Sequence, residues 1–122
     1  MGTTPAKKPA IRILSASMDA GLNRSRALLL REHGFEVKTS ESLEQATQLI
    51  EAEHLDVLIF GSTLSRDACW TLAEAFRKRH AAGRIVEILP SPWSTPRASV
   101  DATVVGSEEP AKLVASIQQH VA

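Results

Sequence analysis

One cysteine, no tyrosine and five aromatic side chains in 122 residues exclude several classes of protein at the outset. Cys69 has no second cysteine to pair with, so no internal disulfide staples the chain and the cytoplasm is its expected location. No apolar run approaches the roughly 18 residues that a membrane helix needs, and the amino terminus has no signal-peptide hydrophobic core. Neither membrane insertion nor secretion is expected. Net charge is missing too: fourteen basic residues cancel fourteen acidic ones, which leaves no general attraction for nucleic acid or an anionic membrane. Met1-Gly2 opens like a myristoylation signal, but Ala6 stands where that signal needs a hydroxyl. His33, His54, His80 and His120 fit no metal-ligand spacing, and Gly21 stands alone in its loop where a phosphate fingerprint would need several glycines. No nucleophile, base and orienting group can be assembled from this inventory, so catalytic residues, metal and cofactor are all expected to be none.

What is present is ordinary globular material. Hydrophobic residues make up 43% and charged ones 23%, enough for one domain that buries roughly two thirds of its unfolded surface. Residues 1–9, with Pro5, Lys7, Lys8 and Pro9, have no periodicity and read as a mobile leader; residues 10–122 form the domain. The run Asp56-Val57-Leu58-Ile59-Phe60-Gly61 organises the rest, because a short, continuous apolar stretch suits a strand covered on both faces.

Residues 11–16, 35–37, 85–89 and 103–105 read as the other strands. Between them lie helices. Leu22, Leu28, Leu29 and Leu30 are expected to be the buried side of the first, with Arg24, Arg26 and Arg31 in water and Gly34 as its stop. Ser42 with Gln45 is a capping-box signature for the second, whose stripe is Leu43, Ala46, Thr47 and Ile50. Ser65 caps a third with Cys69, Leu72, Ala73 and Phe76 inside, and Pro110 opens a last one with Leu113, Val114, Ile117 and Val121 inside. Pro90, Pro92 and Pro96 forbid an ordinary helix after the fourth strand. Five strands alternating with helices predict an α/β, doubly wound parallel sheet.

The order of these elements resembles the response-regulator receiver domain over nearly the whole chain, from about Ile11 to Val121. Arg12-Ile13-Leu14, Arg31-Glu32-His33-Gly34-Phe35-Glu36-Val37, Glu44-Gln45-Ala46, Asp56-Val57-Leu58-Ile59, Val100-Asp101, and Pro110 with Leu113 stand in the family's order. The resemblance implies a flavodoxin-like topology, strand order 2-1-3-4-5, with the family's fourth helix shortened or absent here.

It also implies where a phosphorylation site would stand, and at each such position this chain departs from the family. The two magnesium-binding carboxylates fall at Ser17 and Met18, and a thioether is a poor ligand for a hard cation. The phosphoacceptor falls at Gly61, the hydroxyl after the fourth strand at Leu89, the lysine after the fifth at Gly106 and the switch aromatic at Thr103. The expected protein is therefore a degenerate receiver that serves as a phosphorylation-independent protein-interaction module in bacterial signalling, with a signalling protein or a second copy as partner.

Trp70, Trp93 and Thr103 are its candidate interface residues, since tryptophan is enriched at binding hot spots. Trp93 has a second reading, in which it folds down over apolar surface left bare by the missing helix. A different class of function, binding of a phosphate or nucleotide, would use the hydroxyls gathered at the carboxyl ends of the strands, Ser17, Ser62, Thr63, Ser91 and Ser107. Cys69 reads as a small core residue.

Overall fold

The apolar run read as the central strand is β3 (Val57–Phe60), and all four of its side chains are fully buried. The computed structural model describes residues 10–121, with side chains through Gln119. The expected leader and the side chains of His120 and Val121 lie outside the described residues. Around β3 stand β1 (Arg12–Ala16), β2 (Glu36–Ser40), β4 (Arg84–Leu89) and β5 (Ala102–Val105), giving one parallel sheet in the order β2-β1-β3-β4-β5. That is the expected topology. The second strand extends to Ser40, beyond the expected Val37.

Side chains alternate across the sheet and build two cores. Leu14, Leu58, Phe60 and Ile85 face α2 (Leu43–Ala52) and α3 (Arg66–Arg79), meeting Ile50, Leu72 and Phe76. Ile13, Val57, Ile59 and Val86 face α1 (Ala20–Glu32) and α4 (Ala111–Val121), meeting Leu30, Leu113 and Ile117. No helix stands between β4 and β5: residues 90–101 cross over as an irregular segment, so the family's fourth helix is absent and α4 is the closing helix.

Local chemistry accounts for the helix ends. Ser42 and Ser65 accept from the amides of Gln45 and Ala68, both at 3.1 Å, as N-caps should. Gly34, at φ 88°, ends α1 in a Schellman motif: its amide bonds the Arg31 carbonyl at 3.0 Å and the Phe35 amide bonds that of Leu30 at 3.3 Å. The Gly34-Phe35 phrase thus turns the chain and drops a phenylalanine beside Leu30 in one step.

The inward face of α1 differs from expectation. Leu30 is buried, but Leu22, Leu28 and Leu29 are exposed, and the residues inside with Leu30 are Asn23, Arg26 and Ala27. Those four fall at i, i+3, i+4 and i+7, so helical phase overrode the leucine count. Polar residues hold this face because each has partners. Asn23 donates to the Ser15 and Ser40 carbonyls and accepts from Ser15 Oγ at 2.7 Å. Arg26 makes a two-pronged ion pair with Glu109, Nε to Oε1 at 2.6 Å and Nη2 to Oε2 at 3.0 Å. Leu43, expected in the stripe of α2, is also exposed, at the first position of its helix.

Candidate functional site

In parallel sheets of this kind the carboxyl ends of the strands are where ligands meet side chains. Here β1 delivers Ser17 and Met18 to that edge and β3 delivers Gly61, with the Gly61 amide bonding the Ala16 carbonyl at 2.8 Å. Ser17 is buried. Its hydroxyl lies 3.1 Å from Thr63 Oγ1, which also accepts from the Met18 amide at 2.9 Å, and Ser17 Oγ accepts from the Asp19 amide at 3.1 Å. These bonds lock the turn after β1 to the turn after β3.

The lock decides what position 61 can hold. A Cβ there would sit 2.8 Å from Ser17 Cβ, 2.9 Å from Ser17 Oγ and 3.1 Å from the Ala16 carbonyl oxygen. Ser17 occupies the space into which a side chain at 61 would project. Position 106 differs, because a Cβ on Gly106 would meet only the Leu89 carbonyl oxygen at 3.7 Å and Ile88 Cγ2 at 3.8 Å, ordinary contacts. Leu89 is buried and Met18 exposed. Asp19, a carboxylate one residue late in the sequence, caps α1 by accepting from the Leu22 amide at 3.0 Å. Asp56 stands at the opposite edge of the sheet and accepts from the Arg12 amide at 2.9 Å. Among the described residues no group of three or more His, Cys, Asp or Glu side chains could hold a metal ion, and no helix is long and apolar enough to cross a membrane.

Of the candidate hydroxyls, Ser17 and Thr63 are brought together. Ser91 bonds Ser94 at 3.0 Å, Ser62 is half-buried, and Ser107 lies exposed in the 3-10 turn at Gly106–Glu108.

Next to this edge a buried ion pair joins β4 to the crossover segment. Glu87, in the middle of β4, is fully buried and meets Arg97 from the crossover segment: Arg97 Nε to Glu87 Oε2 is 2.7 Å, and the Arg97 amide donates to both carboxylate oxygens at 3.1 and 3.0 Å. The rest of the guanidinium caps carbonyls, Nη1 donating to Gly61 at 3.0 Å and Leu64 at 2.5 Å and Nη2 to Ile88 at 3.2 Å. A carboxylate inside an apolar strand needs a partner that satisfies it, so Glu87 within Ile85-Val86-Glu87-Ile88-Leu89 was the available signal. Arg97 ties the segment to β3, β4 and the start of α3, where a helix would otherwise pack. Ala98 and Val100 then fill the core beneath it. Cys69 lies in the same region; burial pushes its thiol up to about 11, with Arg97 pulling it down and Glu87 adding to the rise.

Two of the candidate interface residues, Trp70 and Thr103, stand on the α2/α3 side of the sheet. Thr103 pairs in register with Glu87, so both point to the α2/α3 face, and Thr103 is exposed where no helix covers β5. Trp70 on α3 is 54% exposed and lines a groove of about 450 Å³ with Ala73, Glu74, Arg77, Lys78 and Ser99. Trp93 is 89% exposed, so it does not fold down over bare apolar surface; Arg97, Ala98 and Val100 do that instead.

This architecture is that of known signalling proteins. No family model matches the chain, and no curated protein matches it. Solved structures do. It is similar to a CheY-like receiver domain from Methanospirillum hungatei (TM-score 0.78, 20% identity, 93% of this chain and 94% of that one). It is similar also to the chemotaxis response regulator CheY4 of Vibrio cholerae (TM-score 0.78, 16% identity, 92% and 99%). A third is the response regulator TrrA of Thermotoga maritima, solved in complex with magnesium and beryllofluoride (TM-score 0.71, 20% identity, 90% and 98%). The chain has the fold of a response-regulator receiver domain.

Proposed function

We propose that this chain is a cytoplasmic, receiver-like protein-interaction module of two-component signalling that works without phosphorylation and is not an enzyme. The observation that carries the reading is the closed position at Gly61, where an added Cβ would lie 2.8 Å from Ser17 Cβ and no side chain enters unless Ser17 shifts. No carboxylate is available there to attack a phosphoryl donor. Magnesium would find a buried hydroxyl and a thioether in place of two carboxylates. The contact surface in this reading is the α3 and crossover side, which carries Trp70, Trp93 and Thr103. A phosphate or nucleotide at the hydroxyl edge is less well supported, because Ser17 and Thr63 already bond each other.

The test is incubation with acetyl phosphate, and separately with magnesium and beryllofluoride, followed by intact mass and backbone amide spectra. The expected result is no added phosphoryl group and no displaced amide signals around Ser17, Gly61 and Gly106. A phosphorylated residue, or a shift of those signals with beryllofluoride, would refute the reading.

A further inference from the structure

We infer that the groove beside Trp70 is filled by Trp93 of a second copy of this chain, the two copies exchanging tryptophans about a twofold axis. The inference rests on the interaction-module reading above and names the partner for its surface.

One chain carries both halves of the contact. Trp93, on the crossover segment, is 89% exposed, and the later part of the same segment reaches a groove of about 450 Å³ through Ser99. That volume lies within the roughly 300–1,000 Å³ typical of sites that take a small organic group, and an indole is such a group. The knob is held ready for insertion. Pro92 precedes Trp93, the Ser94 amide bonds the Ser91 carbonyl at 3.1 Å, the two serine hydroxyls bond at 3.0 Å, and Arg97 anchors the segment to the sheet. Ordering this tip on binding therefore costs little.

Area and charge both favour a second copy. At up to about 250 Å² per tryptophan, the exposed parts of Trp70 and Trp93 on two copies amount to about 700 Å², close to half of a standard interface of roughly 1,600 Å². Exposed Pro90, Pro92 and Pro96 on the crossover segment add apolar surface beside the knob. Fourteen basic and fourteen acidic residues leave no net charge to oppose self-association. Glu74 and Lys78 stand exposed on the groove rim, and a twofold axis lets Glu74 of one copy meet the second copy's Lys78. Arg77, between them in sequence, is already neutralised by Asp101 at 2.9 Å. A twofold contact also closes on itself and ends at the dimer.

Sedimentation equilibrium of the full chain over a concentration series tests this. Wild type is expected to dimerise with a Kd in the micromolar range or below, and Trp93→Ala and Trp70→Ala each to raise Kd by about 30-fold or more. The decisive sample is an equimolar mixture of the two variants. One keeps the knob and the other keeps the groove, so one of the two contacts re-forms and dimer reappears that neither variant makes alone. If Trp70→Ala unfolds, Glu74→Lys and Lys78→Glu give the same test, each weakening the dimer and the double reversal restoring it. A wild type that stays monomeric, or a dimer that Trp93→Ala leaves intact, overturns the inference. Either result leaves the phosphorylation-independent reading to the acetyl phosphate and beryllofluoride test, which does not depend on oligomeric state.

Discussion

Replacing Arg97 with alanine should be among the most damaging single changes this domain can suffer. Glu87 is fully buried and Arg97 largely so, with 14% of its side chain exposed. The substitution removes the 2.7 Å ion pair and the donors that serve the carbonyls of Gly61, Leu64 and Ile88. Only the backbone amide of residue 97 would still reach Glu87. Breaking a buried pair from one side costs about 3–5 kcal/mol, because the remaining charge is left without compensation. Water at the loop can serve some of the freed carbonyls, so about 4 kcal/mol is the working figure. Against a total stability of about 5–15 kcal/mol that is a large share. Urea unfolding followed by tryptophan fluorescence measures it; with a slope near 2 kcal/mol per molar, the midpoint should fall by about 2 M. Glu87→Gln in the Arg97→Ala background should recover at least half of the loss, since it removes the stranded charge. A loss below about 1 kcal/mol, or no recovery on removing the carboxylate, would show that the pair is an ornament of the loop and does not hold the crossover in place.

Gly61→Ala should destabilise the fold by about 1–3 kcal/mol through overpacking against Ser17, and Ser17→Gly in the same chain should return much of it, both read from urea midpoints. No effect of Gly61→Ala would mean that the Ser17 turn gives way freely and that the closed position is open to a side chain. Cys69 should resist alkylation in the folded protein at pH 8 and react on unfolding, because burial lifts its thiol from an ordinary value near 9 to about 11. The same shift sets a pH dependence. A pKa raised on folding contributes stability that is complete below the unfolded value and is lost as pH rises through the folded one, so stability should decline between about pH 9 and pH 11. In Cys69→Ala that part of the decline should disappear; an identical pH profile would assign it to other groups.

What could be read in the sequence was local or periodic. The β3 run, the caps at Ser42 and Ser65 and the stop at Gly34 depend on neighbours within a few residues, and each stands where its pattern placed it. The inward face of α1 follows helical phase and not the count of leucines; Asn23 goes inside because Ser15 and Ser40 satisfy it, and Arg26 because Glu109 takes its Nε and Nη2, its Nη1 alone being left without a partner among the described residues. Two of those partners lie 17 and 83 positions away, beyond the reach of any local pattern. Gly61 was legible as a position with no side chain to offer, but its closure by Ser17 needed the register of β1 against β3. The Glu87 to Arg97 contact was hidden for the same reason, its halves separated by a segment to which no periodicity applies. Proline placement told where a helix fails without telling what replaces it.

The crossover between β4 and β5 also fixes how this chain can vary in length. Parallel neighbours need a connection of about a dozen residues or more to return to the starting edge. Residues 90–101 are twelve, and Arg97 holds them down partway along. Removing a residue between Arg97 and Asp101, a stretch pinned at both ends, would pull on the arginine clamp or on the edge strand, whereas lengthening the tip between Ser91 and Ser94 adds only the slowly growing entropy of a longer loop. Insertions at that tip should be tolerated and deletions between Arg97 and Asp101 should not, so growth of this crossover has one permitted place, and new sequence added there would be displayed beside Trp93.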